Sequence, residues 1–344
     1  MRAVNLVGWD NGGGLTRDLD ILGKAITEIG GRVLYNGEPK RAGKTPRLLT
    51  KLGSRARRVL SGASGVRPFS VNLHLERISD AWLPMASLNV LIPNQEWFRE
   101  EDAPLLPAVD LVLCKTRHAE AIFRQMGKEC AFLGFASEDR VLGSGVEHAG
   151  RPTCLHVAGK SLTKGTEAVL SAWSEHPEWP MLTVVRRAHA YGDVRVVSPR
   201  PRTPNVHLID DFVEDHELRR MQNEHAIHLC PSEVEGFGHS LVEGCSCGAV
   251  VVTTDAPPMN ELIQPERGVL VPYREEIPMR SGMRYRVDGK SLEESVQETL
   301  ALSPAARAAL GRGARQWFLE SRDGFRDRLA SLLLSRLGHH GIAP

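Results

Sequence analysis

Short apolar runs alternate with stretches of helical period from one end of the chain to the other. The first series holds AVNLVG (3 to 8), a helical pattern near 15 to 29, RVLYN (32 to 36), FSVNLHL (69 to 75), LNVLIP (88 to 93), LVLCK (111 to 115), a helical pattern from about 117, and CAFLGF (130 to 135). A second series begins at TCLHVAG (153 to 159) and continues through MLTVVR, VHLID, AIHLC and AVVVTT (249 to 254). Strands that are apolar on both faces and alternate with amphipathic helices predict parallel sheets covered on both sides. Residues 136 to 152, ASEDRVLGSGVEHAGRP, carry the polar, Gly and Pro punctuation of a linker. Past residue 303 the apolar spacing is helical again, and such a terminal helix could close the second domain or cross back to the first. The expected organisation is a domain over 1 to 145, a second over 146 to 320, and a terminal helix over 321 to 344. No repeat of solenoid period is present.

Length agrees with two domains, since 344 residues exceed what one ordinary core organises. Hydrophobic residues make up 42% and charged residues 25%, which excludes long disorder and fibrous classes. With 43 Lys plus Arg against 42 acids the formal charge is +1, so any attraction for a polyanion must be local. The six cysteines mostly lie in apolar runs such as LVLCK and AIHLC, the setting of buried thiols in a reducing compartment. Cys245 and Cys247 form the only close pair, without a second pair or a His cluster to complete a zinc site. The N-terminal apolar stretch is short for a secretory signal, and no run reaches the ~18 apolar residues of a membrane span. These features predict a cytoplasmic protein.

Open parallel sheets bind ligands beyond the carboxyl ends of their strands, so residues that follow strands are the informative ones. After the first strand comes GWDNGGGLTRDLDIL, whose Gly12, Gly13 and Gly14 let the backbone turn sharply and approach a ligand at a helix start. The spacing is not Gly-x-Gly-x-x-Gly, which disfavours NAD, and a tight turn without a ligand fits equally well. Asp18 and Asp20 in DLD fall inside the helical pattern and read as a solvated face. The second series opens with HVAGKSLTKGTEAVLSAW, where Lys160 and Lys164 occupy a strand-to-helix loop. Ammonium groups there could neutralise a diphosphate, although lysines in such loops are commonly just solvated.

The densest signal is AIHLCPSEVEGFGHSLVEGCSCGAVVVTTDAPPMNELI, 226 to 263. A strand ends at Cys230, Pro231 stops it, the loop carries Glu233 and Glu235, and a helix begins near His239 or Ser240 with Glu243 in its first turns. Gly236 and Gly238 expose backbone N–H groups between the acids. Amides can hold an anion while ionised carboxylates accept pairs of hydroxyls. Together with the lysine loop, this describes a site for a nucleotide sugar. Acidic residues compensating a helix dipole would account for Glu233 or Glu235, but not for the loop glycines and lysines as well.

This segment resembles the donor-binding signature of retaining glycosyltransferases of group 1 (family four). The resemblance implies an α/β protein of the GT-B fold, two facing Rossmann-like domains with a cleft between them. It places Glu235 at hydroxyls of the donor sugar and Glu243 at the ribose. It also places the turn Gly236, Phe237, Gly238, His239, Ser240 and Leu241 at the sugar and diphosphate, the amides of Gly238 through Leu241 facing them. Lys164 matches the lysine on the diphosphate. Lys160 stands where these enzymes usually have arginine, in a loop one residue shorter than usual. Gly13 and Gly14 join the ligand-binding set from the first domain. The family's first domain normally supplies a His near the reacting sugar; here the strand ends offer Asn94, Gln95 and Glu96, or His74 and Glu76. No metal and no cofactor is implied, because two lysines and a helix terminus replace the divalent cation.

Transfer of a sugar, of hexosyltransferase type, to a lipid-linked or glycan acceptor is the expected activity, with nucleic acid a further acceptor. A sugar-nucleotide epimerase and a non-catalytic nucleotide-sugar-binding subunit are the alternatives. The local charge anomaly bears on the acceptor: between Pro39 and Pro68 lie nine basic residues and no acid. There RLLTKLGSRARRVL sets Leu48, Leu52, Ala56 and Val59 on one helical stripe and Arg47, Lys51, Arg55 and Arg58 on another. Such a helix can lie on an anionic membrane, which would make the protein peripheral at the inner membrane face. It can also meet another polyanion in a salt-dependent way, or pack its leucines inward as a solvated face. The segment YREEIPMRSGMRYRVDG (273 to 289) has no assigned role.

Overall fold

A computed structural model describes residues 3–36, 67–143, 152–187, 189–191, 194–196 and 203–339. The basic stretch 40 to 66 lies outside the described residues; Arg67 is exposed. The chain divides into two compact units, one of Met1–Ala136, Arg280–Gly282 and Arg322–Pro344, the other of Ser137–Met279 and Met283–Ser321.

The first unit is a parallel sheet of β1 (Val4–Val7), β2 (Val33–Tyr35), β3 (Phe69–Leu75), β4 (Ala86–Ile92), β5 (Leu111–Cys114) and β6 (Cys130–Phe132), ordered β2-β1-β3-β4-β5-β6. Helices α1 (Gly14–Glu28) and α2 (Arg117–Gln125) follow β1 and β5. The central strands are buried along their whole length, as their unbroken apolar runs predict. One polar row interrupts them. Asn5, Asn72 and Asn89 stand opposite one another in register, and Asn5 donates to Asn72 and Asn72 to Asn89, each at 2.8 Å. Asn36 donates to Asn5 from the edge, also at 2.8 Å. Slipping any strand by one residue would strand these amides, so the row fixes the register. Phe98 and Phe123 meet edge to face at 5.1 Å, and Phe135 meets Phe325 at 5.0 Å. The run 130 to 135 gives a strand of only three residues, because Gly134 turns away in the left-handed region at φ 65°.

In the second unit the sheet order is β11-β8-β7-β12-β13-β14. These strands are β7 (Cys154–Gly159), β8 (Leu182–Arg186), β11 (Val206–Ile209), β12 (Ile227–Cys230), β13 (Val250–Thr254) and β14 (Gly268–Val271), with a small hairpin β9 (His189–Tyr191) and β10 (Val194–Val196) after β8. The helices are α3 (Thr166–Glu175), α4 (Asp215–Glu224), α5 (His239–Ser246), α6 (Met259–Leu262) and α7 (Gly289–Ala301). Trp173 sits at the centre of the core among Val169, Leu229, Val252 and Leu292, and donates its indole N–H to the Pro180 carbonyl at 3.0 Å. Residues 273 to 287 form an antiparallel hairpin, β15 (Tyr273–Met279) and β16 (Gly282–Val287), before α7. The terminal helix α8 (Pro304–His339) buries Ala314, Phe318, Phe325, Leu329, Leu333 and Leu337, a stripe of helical spacing. Its residues through Ser321 group with the second unit and those from Arg322 with the first.

All six cysteines are free thiols, five of them buried and Cys130 half-buried. Burial pushes every one of these thiols above the usual range.

Candidate functional site

In the second unit, β7 and β12 are neighbours and end side by side, so their loops meet. Gly165, which starts α3, has φ 70°, and a Cβ there would lie 2.3 Å from the Pro231 carbonyl oxygen. Only glycine lets the lysine loop approach the acidic loop this closely. The amide of Glu233 donates to the Thr163 carbonyl at 2.9 Å, which ties the two loops again. Lys164 and Glu235 thereby come together, the Nζ of one on the Oε1 of the other. Glu235 is buried and Lys164 half-buried, while Lys160 is exposed.

Helix α5 starts at His239 behind Gly238, whose φ of 99° only glycine adopts readily, and no side chain caps it. The amides of Leu241 and Val242 donate back to the Gly238 carbonyl at 3.0 and 3.2 Å, so the Leu241 amide is engaged within the helix. Gly236 and Phe237 are buried beside them. Phe237 packs edge to face on His239, whose Nδ1 bonds the Ser137 hydroxyl at 2.7 Å. Ser240 is half-buried and Leu241 fully buried. Glu243 is buried, one oxygen accepting from Gln222 at 2.8 Å. Gln222 in turn accepts from Arg140, and Arg140 pairs with Asp215 at 2.9 Å.

Two features of this region were not anticipated from sequence. His156 on β7 lies beneath the lysine loop, bonding the Leu229 carbonyl through Nδ1 at 2.7 Å and Thr166 through Nε2 at 2.8 Å. Burial lowers its pKa to about 4, so it holds β12 and the start of α3 as a neutral ring. The hairpin β15–β16 is fastened to the acidic loop: Arg284 and Arg286 reach the Glu233 carboxylate at 2.5 and 3.6 Å, and the Tyr285 amide donates to the Glu233 carbonyl at 2.7 Å. Glu233 is therefore a hairpin anchor. A cavity of about 510 Å³ beside the lysine loop is lined by Lys160, Thr166, Arg187, Glu233, Arg284 and Arg286, among others.

The sequence-selected residues of the first unit also collect at strand ends. Gly12, with φ 63°, donates to Asp10 and Thr16 at 2.8 Å, and Gly13 donates to Asn11 at 2.8 Å, which closes the turn before Gly14 opens α1. His74 is fully buried; its Nδ1 accepts from the Ser79 amide at 3.3 Å, and burial lowers its pKa to about 4. That position makes it a core residue with no surface to offer a ligand. Glu76, one residue further on, is half-buried with φ 63°, and burial raises its carboxyl pKa. Its Oε2 accepts from Asn94 at 3.2 Å, and Asn94 accepts from Lys115 at 2.9 Å. Lys115 is paired with Asp18. Asp18 thus departs from the solvated face expected of DLD: it is buried at 2% exposure, whereas Asp20 is exposed. Gln95 and Glu96 are buried. Among the described residues no three His, Cys, Asp or Glu side chains are grouped to hold a metal ion, and no helix is long and apolar enough to cross a membrane.

Residues 203–281 match the family model described as glycosyl transferases group 1. In three dimensions the chain is similar to a sucrose-phosphate synthase from Thermosynechococcus elongatus, with a TM-score of 0.72 and 15% identity over 98% of this chain and 100% of that one. It is similar to a glycosyltransferase from Rickettsia africae, at 0.68 and 11% over 98% of each chain. It is also similar to HepE of Anabaena, solved in complex with UDP and glucose, at 0.69 and 13% over 96% of this chain and 99% of that one. At these identities the likeness shows the fold, which is GT-B. No curated protein matches the chain in sequence.

Proposed function

We propose that this GT-B glycosyltransferase, with group 1 sequence at residues 203–281, moves a hexose from a nucleoside diphosphate donor to a hydroxyl acceptor with retention of anomeric configuration. The observation that carries the reading is the Lys164–Glu235 pair, set beside the uncapped start of α5. A donor would exchange that contact for two others of matched charge. The diphosphate takes the ammonium, and sugar hydroxyls donate to the carboxylate, so neither buried charge is left alone. Glu243, held by Gln222, offers its carboxylate to the ribose hydroxyls. That HepE was solved with UDP and glucose supports a donor of this class.

In the transfer, the bond between the anomeric carbon and the phosphate oxygen breaks and its electron pair leaves with the diphosphate. The acceptor oxygen bonds the same carbon on the same face, and its proton departs with the diphosphate. Lys164, Lys160 and the α5 amides stabilise the developing charge without a metal ion. Incubation with a panel of nucleotide sugars tests this. Release of the nucleoside diphosphate, unchanged by a chelator and giving a product of the donor's anomeric configuration by NMR, is expected. An altered donor sugar would mean an epimerase, and binding with no turnover a subunit.

A further inference from the structure

We propose that the cavity beside the lysine loop is a second ligand site, separate from the donor turn, and that it takes a phosphomonoester of a small polyol. This goes beyond the transferase reading and does not depend on it.

At about 510 Å³ the cavity falls in the range of small-molecule sites. The loop 159–162, the first turn of α3, the ends of β8 and β11 and the strand β16 surround it, all within the second unit. Lys164, Glu235, Glu243 and helix α5 contribute nothing to its lining, so it lies apart from the residues given to the donor. Lys160 is the one that the two share.

Its charge is unbalanced. Lys160, Arg186, Arg187, Arg284 and Arg286 line it against Glu167, Asp210 and Glu233, five cations to three acids, which leaves a surplus of two positive charges. Pairing within the wall answers only part of this. Arg186, 8% exposed, gives its Nε to Asp210 at 2.5 Å. Arg284 and Arg286 share the single buried carboxylate of Glu233, and Arg286 finds a second acid, Glu275, outside the lining at 2.9 Å. The Nε of Arg284 is buried without a hydrogen-bond partner among the described residues, a donor that asks for an acceptor. Arg187 stacks over Phe212 at 4.7 Å, Lys160 is exposed, and no carboxylate of the described residues pairs with either.

This chemistry selects the ligand. Guanidinium groups bind phosphate oxygens through parallel N–H donors, and the surplus matches the charge of about −1.5 to −2 that a phosphomonoester carries at pH 7. A neutral sugar would leave that surplus unanswered. The cavity has room for more than a phosphate group, and the Ser161 hydroxyl and the Glu167 carboxylate in the same wall accept hydrogen bonds from a hydroxylated body.

The test is binding of glycerol phosphate, glucose-6-phosphate and inorganic phosphate to the full chain, by calorimetry and phosphorus NMR. Each is measured with and without a saturating nucleoside diphosphate, whichever of UDP, GDP and ADP binds, so that the donor turn is filled. At least one phosphomonoester is expected to bind in both conditions, more tightly than inorganic phosphate. Arg187→Gln, which breaks no ion pair, and Arg284→Gln, which leaves Glu233 to Arg286, should each weaken it about tenfold or more, the scale of a lost charge-assisted hydrogen bond. Lys164→Ala should leave it intact, and thermal melts check that each variant folds. Absence of binding, displacement by the nucleoside diphosphate, or affinity unchanged in both arginine variants overturns the proposal. Inorganic phosphate binding as tightly would remove the polyol from the ligand. A chain that binds none of the three nucleotides refutes the donor reading, and phosphomonoester binding that the arginine variants weaken still upholds this site.

Discussion

Lys164 and Glu235 join the loop after β7 to the loop after β12 through an ion pair whose acidic partner is almost fully buried. The pair has a structural value that must be separated from a catalytic one. Lys164→Ala leaves a desolvated carboxylate and should cost roughly 1–3 kcal/mol in urea unfolding. The double variant Lys164→Met with Glu235→Gln removes both charges and should recover most of that loss, yet remain inactive with saturating donor. Wild-type turnover in the folded double variant would remove the pair from the mechanism.

Gly165→Ala probes the same junction without touching a charge. An alanine there meets both a left-handed backbone and the Pro231 carbonyl, so the two loops must part. Destabilisation of about 2 kcal/mol or more is expected, with KM for the donor rising because Lys164 and Glu235 lose their spacing. Unchanged stability and KM would show that the loops are not locked here.

The asparagine row makes a prediction about folding. Asn72→Ala removes one partner from each of Asn5 and Asn89 in a buried setting and should cost roughly 2–4 kcal/mol, two unsatisfied amides' worth. Chemical denaturation measures it directly; a loss under about 1 kcal/mol would mean that water replaces the missing amide.

Stability should also fall on mild acidification. His74 and His156 are held near pKa 4 by burial, below the ordinary 6.5 that they regain on unfolding. The unfolded chain therefore binds more protons between these values. The stabilisation is complete above about pH 6.5 and is lost as pH falls toward about 4, on the order of 2 kcal/mol for each ring. Urea midpoints at about pH 7 and about pH 5 should differ accordingly, and His156→Gln, if folded, should flatten the dependence.

The parallel sheets were legible because buried parallel strands are apolar on both faces, and LVLC and IHLC leave no other reading. The turn from Cys230 to His239 was legible for the same reason: proline, glycine and acid follow one another where a strand must stop and a helix start. What escaped prediction depends on long-range partners. The burial of Asp18 is decided by Lys115, 97 positions away, and a helical pattern alone shows it only as one acid in an amphipathic turn. Glu233 and Glu235 are two residues apart and chemically alike, but one turns to Arg284 and the other to Lys164. The hairpin 273 to 287 was not assigned because YREEIPM is largely polar and exposed, and the short alternation of GMRYRV, mostly half-buried, joins none of the apolar runs of the main sheets. At the end of β3 the sequence offered His74 and Glu76 equally; His74 lies within a strand buried on both faces, whereas Glu76 follows the strand in a left-handed conformation and is only half-buried.

With five native cysteines buried, Cys130 half-buried and every thiol pushed above its usual range, the native thiols should react slowly with maleimides. A cysteine introduced at Leu162, which is 59% exposed in the lysine loop, would then be the preferred target for a fluorophore. Labelled there, the enzyme would report the arrival of a nucleotide by a change in emission, without any need to strip its own thiols first.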